Sequence, residues 1–419
     1  MRGILEVGFP YGRDQVLLDL PGDRLVGVYE PRETPGVPNL RAEVERALGM
    51  PVKSQPLRDL AQGRRKAAIV IDDASRSVPN AELLPPIVDE VRAGGVALSE
   101  ITVVVATGLH RPLSEAELDA ARGGLPVRIV SHRADREEEL VSIGTTSLGQ
   151  EIKLNRTYMS ADLKILVGDV EYHQFCGYGG GAKSIYPGIA DAEAIRHNHS
   201  MMEVEGAGPG RWEGNPVRQE IEEVGRMAGV DFTLSVVMNS RKEVVRAAAG
   251  HVVDAFLAGT RAVDEMYRVE VPEAADLVIA SAGGHPKDID LYQAQKAVTA
   301  GRRIVREGGT IAVIAECPEG HGSELFDRWM NEATSLQDIV ERIRTKFVMG
   351  GHKAYQFARE MAWAEVCLLS ALPPGQVRSY FMTPLRGARD LKELIDRAGT
   401  IAALPQATLT LAEIPGRAS

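Results

Sequence analysis

The 419-residue sequence contains few cysteines, and their positions favour neither a cross-link nor a metal site. Cys176, Cys317 and Cys367 are an odd number, lie far apart and include no CxxC pair, which excludes a readable disulfide framework and a thiolate zinc site. Free thiols persist in reducing compartments. We therefore expect a cytoplasmic protein.

Long apolar segments and an excess of positive charge are also absent. No stretch of about 18 uncharged apolar residues occurs, and charged residues interrupt the first ten positions, so neither a membrane span nor a signal peptide is expected. The 48 lysines and arginines against 58 aspartates and glutamates leave a net charge of −10, whereas binding to a phosphate backbone requires clustered positive charge. We expect neither a membrane nor a nucleic-acid partner.

The composition, with 44% hydrophobic and 25% charged residues, is that of an ordinary globular protein. At roughly 150 residues per domain, the length predicts two or three domains. Apolar segments alternate with helical patterns, which predicts an α/β fold whose functional residues lie in loops at the carboxyl ends of strands. The pattern restarts near residue 271, so we predict an N-terminal α/β domain, residues 1–270, and a C-terminal α/β domain, residues 271–419.

Individual elements can also be predicted. Short strands and a proline-rich stretch in residues 1–60 should pack on the edge of the next unit. Ser114 followed by Glu117 predicts a capping box that begins a helix. Buried strands are predicted at 66–72, 101–106, 163–167, 232–238, 277–281, 310–315 and 364–369, and helices at 40–48, 80–93, 291–306 and 324–344.

The densest cluster of glycines lies in residues 173–190 (HQFCGYGGGAKSIYPGIA) and includes Gly179, Gly180 and Gly181, just before Lys183. Backbone NH groups without side chains near a lysine can form an anion cradle. The segment is not a Walker A loop, because Ala182 replaces the last glycine of that motif. A glycine-rich turn with a solvated lysine is the alternative.

Three of the nine histidines, His173, His197 and His199, surround this loop. Neutral imidazoles are common ligands of nickel, copper and zinc. Because His197 and His199 are two residues apart, at most one should point into a given site. Ordinary core or surface histidines are the alternative.

Two strand-end loops carry further polar groups. His110 follows one buried strand and could act as an acid or base at neutral pH. Residues 72–79 (DDASRSVP) follow another strand, and there Arg76 could bind a carboxylate or phosphate and Asp73 a ribose hydroxyl. For His110 the alternative is an ordinary loop histidine near a capped helix. For residues 72–79 it is a polar turn with an internal Asp–Arg pair.

In the second half, residues 283–297 (GGHPKDIDLYQAQKA) lead from a strand into a helix. Gln293 and Lys296 are three residues apart and share a helix face near its N-terminus, where an anionic substrate can be bound. An ordinary exposed helix is the alternative.

In this order, these segments together with ATGLHRPLSEAEL (106–118) and HNHS (197–200) resemble the nickel-dependent lactate racemases. The motifs extend from about residue 66 to 300, and their joint occurrence is more specific than any one of them. The resemblance implies two α/β domains with the active site in the cleft between them. It also implies a nickel(II) pincer nucleotide, which is a pyridinium-3,5-bisthiocarboxylic acid mononucleotide.

The resemblance assigns roles to particular residues. It implies that Lys183 is covalently attached to the cofactor, that the glycine loop approaches it, and that His199 completes the square plane of nickel. His110 and His173 would be the two acid/bases. Asp73 would contact the ribose of the cofactor, and Arg76, Gln293 and Lys296 would hold the substrate.

The implied reaction is racemisation of a 2-hydroxy carboxylate by oxidation and reduction, because the α-proton is weakly acidic. One imidazole takes the hydroxyl proton while hydride moves from Cα to the cofactor, and hydride then returns to the opposite face of the keto acid. Cofactor-biosynthesis proteins would be partners. Cys176 departs from the family pattern, which has a small hydroxyl residue at this position.

Two other functions are compatible with parts of the sequence. The histidines could belong to a metal-dependent hydrolase, although no HExxH or similar carboxylate-bearing spacing is present near them. The glycine loop could instead belong to a non-catalytic nucleotide-binding or cofactor-carrier protein.

Overall fold

The chain passes between two α/β units at residues 32–33 and again at residues 266–267. A computed structural model describes residues 3–73, 76–345, 348 and 350–417. The central unit consists of residues 33–266, and the flanking unit combines the described residues up to 32 with those from 267 onwards. The predicted N-terminal domain of residues 1–270 therefore differs from the structure in residues 3–32 and 267–270, which belong to the flanking unit.

The reason for this difference is long-range strand pairing. Near the N-terminus lie β1 (Ile4–Tyr11), β2 (Asp14–Pro21) and β3 (Leu25–Val28). Strand β3 pairs in parallel with β19 (Ile401–Leu404), and the backbone N–H of Tyr29 donates to the carbonyl of Ala403 at 2.9 Å. Short strands of this kind show no partner preference in the sequence.

The central unit is built around one twisted sheet whose strands run in the order β13-β12-β9-β4-β5-β6. All neighbouring pairs in it are parallel except β12–β13. Its strands and smaller β elements are β4 (Ala67–Asp72), β5 (Ile101–Ala106), β6 (Arg128–Ser131), β7 (Leu140–Thr145), β8 (Glu151–Asn155), β9 (Leu163–Asp169), β10 (Tyr172–His173), β11 (Gly177–Tyr178), β12 (Phe232–Met238) and β13 (Val244–Gly250). Its helices are α1 (Leu40–Gly49), α2 (Leu57–Leu60), α3 (Asn80–Ala93), α4 (Glu115–Arg122), α5 (Arg156–Met159), α6 (Ala192–Ser200), α7 (Pro216–Ala228) and α8 (Val252–Tyr267).

The flanking unit contains a second parallel sheet in the order β18-β17-β16-β15-β19-β3. Its remaining strands are β14 (Arg268–Glu270), β15 (Ala275–Ser281), β16 (Val305–Ile314), β17 (Glu365–Leu369), β18 (Thr383–Leu385), β19 and β20 (Leu411–Glu413). Its helices are α9 (Leu291–Ile304), α10 (Glu324–Glu332), α11 (Leu336–Thr345), α12 (Gly351–Met361), α13 (Pro374–Ser379) and α14 (Ala388–Arg397).

These sheets confirm the predicted α/β class and most of the predicted elements. Residues 67–71 of β4 are each at most 2% exposed, as the continuous apolar run predicts for a strand covered on both faces. Ser114 and Glu117 form the predicted capping box at the start of α4. Among the described residues, no helix combines the length and apolarity that a membrane span requires.

The single helix predicted over residues 324–344 is wrong, because the structure contains two helices there. Helix α10 ends at Glu332, and α11 begins at Leu336. Asp338 accepts hydrogen bonds from the backbone N–H of Thr334 at 2.8 Å and from the Ser335 hydroxyl at 2.9 Å, which caps the start of the second helix. Hydrophobic periodicity continues across the break and conceals it.

Candidate functional site

The candidate site of the central unit lies at the carboxyl ends of its parallel strands. In this sheet the chain proceeds from β4 to β5 on one side, whereas β9 and β12 lie on the other side. The loops after β4 and β9 therefore diverge, and such a switch point leaves a crevice in which α/β proteins bind ligands. Both loops, and the loop after β5, carry residues selected from the sequence.

His110, in the loop after β5, is hydrogen-bonded to Asp73, which directly follows β4. The His110 Nδ1 and Asp73 Oδ2 atoms are 2.6 Å apart, and the Asp73 side chain is buried whereas His110 is exposed. The bond to Asp73 raises the pKa of His110 above its usual value. Asp73 thus has a partner within the protein. Its carboxylate orients the imidazole of His110 and stabilises the protonated form of that ring.

His173 lies in a contrasting environment, on the small hairpin of β10 and β11 that follows β9. It pairs with Gly177, and its ring packs edge-on against Phe175 at a centroid distance of 4.6 Å. Burial and the nearby charges of Lys183 and Arg76 hold the pKa of His173 well below its usual value. This imidazole is therefore neutral at neutral pH, when His110 is more readily protonated.

His197 and His199, both on α6, point to different partners, as their spacing predicts. The Nδ1–H of His199 donates to the carbonyl of Ile195 at 2.8 Å, which leaves the lone pair of Nε2 available. Burial lowers the pKa of His199 to about 4, so the ring is neutral. His197 instead contacts the buried carboxylate of Glu220 at 3.2 Å.

Lys183 lies in a short helical turn, Gly181–Ser184, which packs against β9 and β4. Burial and the neighbouring Arg76 lower the pKa of Lys183, which increases the fraction of neutral amine. The charges of Lys183 and Arg76 also act on His110 and His173, and Lys183 acts on His199. The charged side chains of Arg76 and Lys183 are thus close enough to the histidines selected from the sequence to affect their pKa values.

Two of the three glycines selected from the sequence, Gly180 and Gly181, are required by packing within the protein. At Gly180, with φ of +84°, a Cβ atom would lie 2.2 Å from the carbonyl oxygen of Asp169. At Gly181, with φ of +61°, it would lie 3.0 Å from Arg218 and Phe256. A Cβ at Gly179 would make only ordinary contacts, at 3.4 Å or more. Protein neighbours alone therefore account for Gly180 and Gly181.

Arg218 and Asp264 support this loop, and neither was selected from the sequence. The Arg218 side chain is 1% exposed and donates to the carbonyls of Tyr178 and Gly180, at 3.2 Å each. Asp264 on α8 accepts hydrogen bonds from the hydroxyls of Tyr172 at 2.8 Å and Tyr178 at 2.7 Å. No local motif marks such residues, because they act through contacts far along the chain.

Carboxylates lie near Arg76, in the loop after β4. Arg76 forms an ion pair with Glu171. Asp72, which ends β4, accepts the backbone N–H of Asp169 at 3.1 Å, and burial together with the charge of Asp169 raises the pKa of Asp72 to about 7. A predicted polar turn thus becomes part of a charged cluster that spans two strand ends.

Cys176 retains a donor function at the position that departs from the family pattern. Its thiol is buried and donates to the carbonyl of Tyr178 at 3.2 Å. Its backbone N–H points to Nδ1 of His173 at 3.5 Å. The thiol can thus make the polar contact that a hydroxyl would make here.

Gln293 and Lys296 lie in the flanking unit, in the first two turns of α9 after β15. The predicted shared face is confirmed, because Lys296 Nζ lies 3.4 Å from Gln293 Oε1. Asp290 caps the helix by accepting the backbone N–H of Gln293 at 2.7 Å. The Lys296 side chain is exposed.

Within the described part of the chain, no three His, Cys, Asp or Glu side chains converge as a metal site. A metal at His199 would need most of its ligands from a bound molecule.

Comparisons with known proteins agree with the motif pattern. Residues 11–208 match the family model described as the lactate racemase N-terminal domain, and residues 271–411 match the lactate racemase C-terminal domain. The lactate racemase of Thermoanaerobacterium thermosaccharolyticum is 34% identical over 407 residues, 94% of each chain. That of Lactiplantibacillus plantarum is 31% identical over 338 residues, 78% of this chain and 79% of the other.

A solved structure is also similar throughout. The lactate racemase apoprotein from Thermoanaerobacterium thermosaccharolyticum superimposes with a TM-score of 0.88 at 32% sequence identity. The match covers 97% of this chain and 100% of that chain.

Proposed function

The chain belongs to the lactate racemase family and is a racemase, and we propose that its substrates are lactate-like 2-hydroxy acids. One observation carries the proposal: two imidazoles in opposite electrostatic environments lie at the carboxyl ends of the strands of one sheet together with Lys183, whose pKa is lowered. Racemisation of a hydroxy acid needs a group that takes the hydroxyl proton and a group that returns one.

The residues of the central unit fit a nickel pincer nucleotide. We propose that Lys183 is covalently attached to it and that His199 binds nickel through Nε2, whose lone pair the Nδ1 hydrogen bond leaves available. When bound, this cofactor supplies an acceptor and donor of hydride for Cα of the substrate. The lowered pKa of Lys183 favours the neutral amine that an amide-type linkage requires.

We propose that His110 and His173 exchange the hydroxyl proton of the substrate. Nδ1 of His110 is bonded to Asp73, so Nε2 is its exchanging atom, and the Asp73 carboxylate stabilises the imidazolium that forms there. His173 is held neutral and can accept a proton. Two bases are required because the two enantiomers present their hydroxyl groups differently.

The substrate carboxylate needs cationic and amide donors. We propose Arg76, Gln293 and Lys296 for this role, and Asp73, Gly179, Gly180 and Gly181 as residues near the cofactor. The guanidinium of Arg76 suits bidentate recognition of a carboxylate. We also propose that cofactor-biosynthesis proteins load the enzyme in the cytoplasm, which is consistent with its three buried free thiols.

The test uses protein co-expressed with the cofactor-building enzymes. Intact mass should show an adduct on Lys183, metal analysis about one nickel per chain, and chiral chromatography the racemisation of one or more of lactate, malate, longer 2-hydroxy acids and aldonates. An unmodified lysine in protein that still racemises would refute the cofactor assignment.

A matched pair of variants tests the metal ligand. His199→Gln should lose most of the nickel, because it removes the proposed Nε2 ligand. His197→Gln on the same helix should retain it, because that ring contacts Glu220. Equal nickel content in the two variants would contradict the assignment of His199.

A further inference from the structure

A buried histidine that the proposed function does not use follows β6 in the central unit. His132 is 1% exposed. Its Nε2 lies 2.8 Å from the carbonyl oxygen of Ala190, and its Nδ1 lies 3.3 Å from the side-chain amide nitrogen of Asn155. Because a carbonyl oxygen can only accept, Nε2 carries the hydrogen and Nδ1 is the acceptor. Both nitrogens of this neutral imidazole are thus hydrogen-bonded within the protein.

The side chain of Asn155 fixes this state of the ring. Its Oδ1 accepts the backbone N–H of Tyr158 at 3.2 Å, so its amide nitrogen is the atom that faces His132. A proton on Nδ1 of His132 would place two donors opposite each other, and turning the amide around would break the bond to Tyr158. Burial also lowers the pKa of His132 to about 4. The ring therefore stays neutral at neutral pH and acts through its hydrogen bonds.

The backbone of His132 is bonded to the end of β5 and to the loop that carries His110. Its N–H donates to the carbonyl of Val105 at 3.0 Å, and its carbonyl accepts the hydroxyl of Thr107 at 2.6 Å. The carbonyl of Thr107 in turn accepts the backbone N–H of His110 at 2.8 Å. A single turn of chain therefore separates the residue that His132 holds from His110.

The ring of His132 is bonded to the segment that follows Lys183. Its acceptor, Ala190, is fully buried. Earlier in the same segment, the N–H of Gly188 donates to the carbonyl of Lys183 at 3.2 Å, and the carbonyl of Gly188 accepts the N–H of Gly108 at 3.0 Å. The loop of His110 and the segment of Lys183 are thus joined by a backbone hydrogen bond and by the ring of His132.

We propose that His132 is a positioning residue, which holds the loop of His110 and the segment of Lys183 at a fixed separation. The proposal rests on the proposed function, in which His110 exchanges a proton with a substrate beside the cofactor on Lys183. Such proton transfer depends strongly on geometry, because a misplacement of about 1 Å can lower the rate about 10²-fold. The proposal assigns His132 no contact with the reacting atoms.

The proposal predicts which kinetic constant changes. Proton transfer depends on the distance between the imidazole of His110 and the reacting atoms, whereas binding of the substrate carboxylate depends on other residues. Loss of the His132 bond should therefore lower kcat and leave KM nearly unchanged. Activity is expressed per Lys183 adduct, so that incomplete loading does not affect the result. A merely structural histidine would lower the unfolding temperature without changing kcat of the folded enzyme.

Two conservative variants separate the two bonds of the ring. Glutamine keeps a donor near the position of Nε2, whereas asparagine keeps an acceptor near the position of Nδ1. His132→Gln should retain kcat within about threefold, and His132→Asn should lower it about tenfold, with KM within about twofold in both.

Thr233→Val is the matched control in the same unit. Thr233 is 1% exposed and donates to the carbonyl of Leu166 at 3.3 Å, so the substitution also removes a buried bond from a side chain to a carbonyl. That bond lies within the sheet and does not join the two loops. The kcat and KM of this variant should therefore equal those of the wild type.

Hydrogen exchange of the apoprotein gives a second measurement that needs neither cofactor nor turnover. In His132→Asn, the backbone amides of residues 106–112 and 184–191 should exchange faster than in the wild type, because one of the bonds between these segments is lost. In His132→Gln and Thr233→Val, the same amides should exchange at wild-type rates.

Thermal unfolding of each variant is measured first. If His132→Asn does not fold, Thr107→Val replaces it, because it removes the hydroxyl that donates to the His132 carbonyl, and it should lower kcat about threefold to tenfold. Unchanged kcat or unchanged exchange in the folded variant would overturn the proposal, as would an equal loss of kcat in His132→Gln or Thr233→Val. A wild-type holoenzyme that racemises no 2-hydroxy acid would instead refute the proposed function, whereas exchange in the apoprotein would still test the link made by His132.

Discussion

His110 and His173 are the same side chain in two opposite environments of the central unit. His110 is exposed in a strand-end loop and bonded to the buried carboxylate of Asp73, which raises its pKa. His173 lies on a short hairpin near Lys183 and Arg76, and burial together with those charges lowers its pKa. The comparison shows that burial and local charge, and not residue type, decide which imidazole has the higher proton affinity.

The difference has a consequence for the proposed reaction. If one imidazole takes the hydroxyl proton and the other returns one, each turnover exchanges their protonation states. The pKa of His110 is raised and that of His173 is lowered, so the state with the proton on His173 is the less stable of the two and returns to the other by proton exchange with solvent. The following predictions test this asymmetry, from the largest expected effect to the smallest.

Removal of either imidazole should have the largest effect. His110→Ala and His173→Ala should each reduce kcat by about 10³-fold, because proton transfer by a positioned side chain contributes about 10²–10⁴-fold. Both variants should keep the Lys183 adduct and nickel. His251→Ala is the control, since His251 also bonds a carboxylate, Asp254, at 2.7 Å, but has no proposed role. A variant of either proposed base that kept a tenth of the activity would contradict its assignment.

Asp73→Asn should have an intermediate effect, and of the two imidazoles it should affect only His110. Without the carboxylate, the pKa of His110 should fall towards or below its ordinary value, and kcat should fall about 10–100-fold. NMR titration of the apoprotein checks the first effect, and the titration of His173 should not change. A His110 pKa that stayed raised would show that another group causes the shift.

The same variant has a pH-dependent effect on stability. The pKa of His110 is raised in the folded state, so the bond to Asp73 contributes its full stability below the unfolded-state pKa and loses it as pH rises through the folded-state pKa. Asp73→Asn should therefore destabilise the protein more at pH 5 than at pH 9. Unfolding in denaturant at the two pH values measures the difference, and an equal loss at both would contradict it.

Loosening the His173 hairpin should have the smallest effect. Asp264→Asn weakens the acceptor of the Tyr172 and Tyr178 hydroxyls, so kcat should fall only about threefold to tenfold. Tyr178→Phe removes one of these hydrogen bonds, and it should lower kcat by a similar factor. The NMR titration of His110 should be unchanged in both, and a shift there would show that the two regions are coupled.

Much of the central unit could be predicted from short segments. Apolar patterns predict β4, β5 and β12 to within a residue, because strands covered on both faces consist mostly of apolar residues. The same strands predict where the polar loops lie, since parallel strands place their carboxyl ends at one edge. The sequence thus predicts that His110 and Asp73 lie at the same end of the sheet, but it does not predict the hydrogen bond between them.

Contacts between distant segments account for what could not be predicted. Arg218 and Asp264 have no motif, since their effect comes from bonds to a loop 38–92 residues away. In the sequence, Lys353 looks like an ordinary polar residue of a helix. Only the structure shows that it is 4% exposed and donates a hydrogen bond to Gln295. The break between α10 and α11 depends on a cap formed by Asp338 that periodicity does not register.

By itself, the sequence determined the α/β class, the strand-end positions of the selected residues and the resemblance to the lactate racemase family, because all three depend on local pattern and order. Only the tertiary structure decided that residues 3–32 belong to the flanking unit and that the pKa of His110 is raised whereas that of His173 is lowered. The physical reason is that strand pairing, burial and electrostatic interaction depend on distance in space, which a linear sequence does not specify.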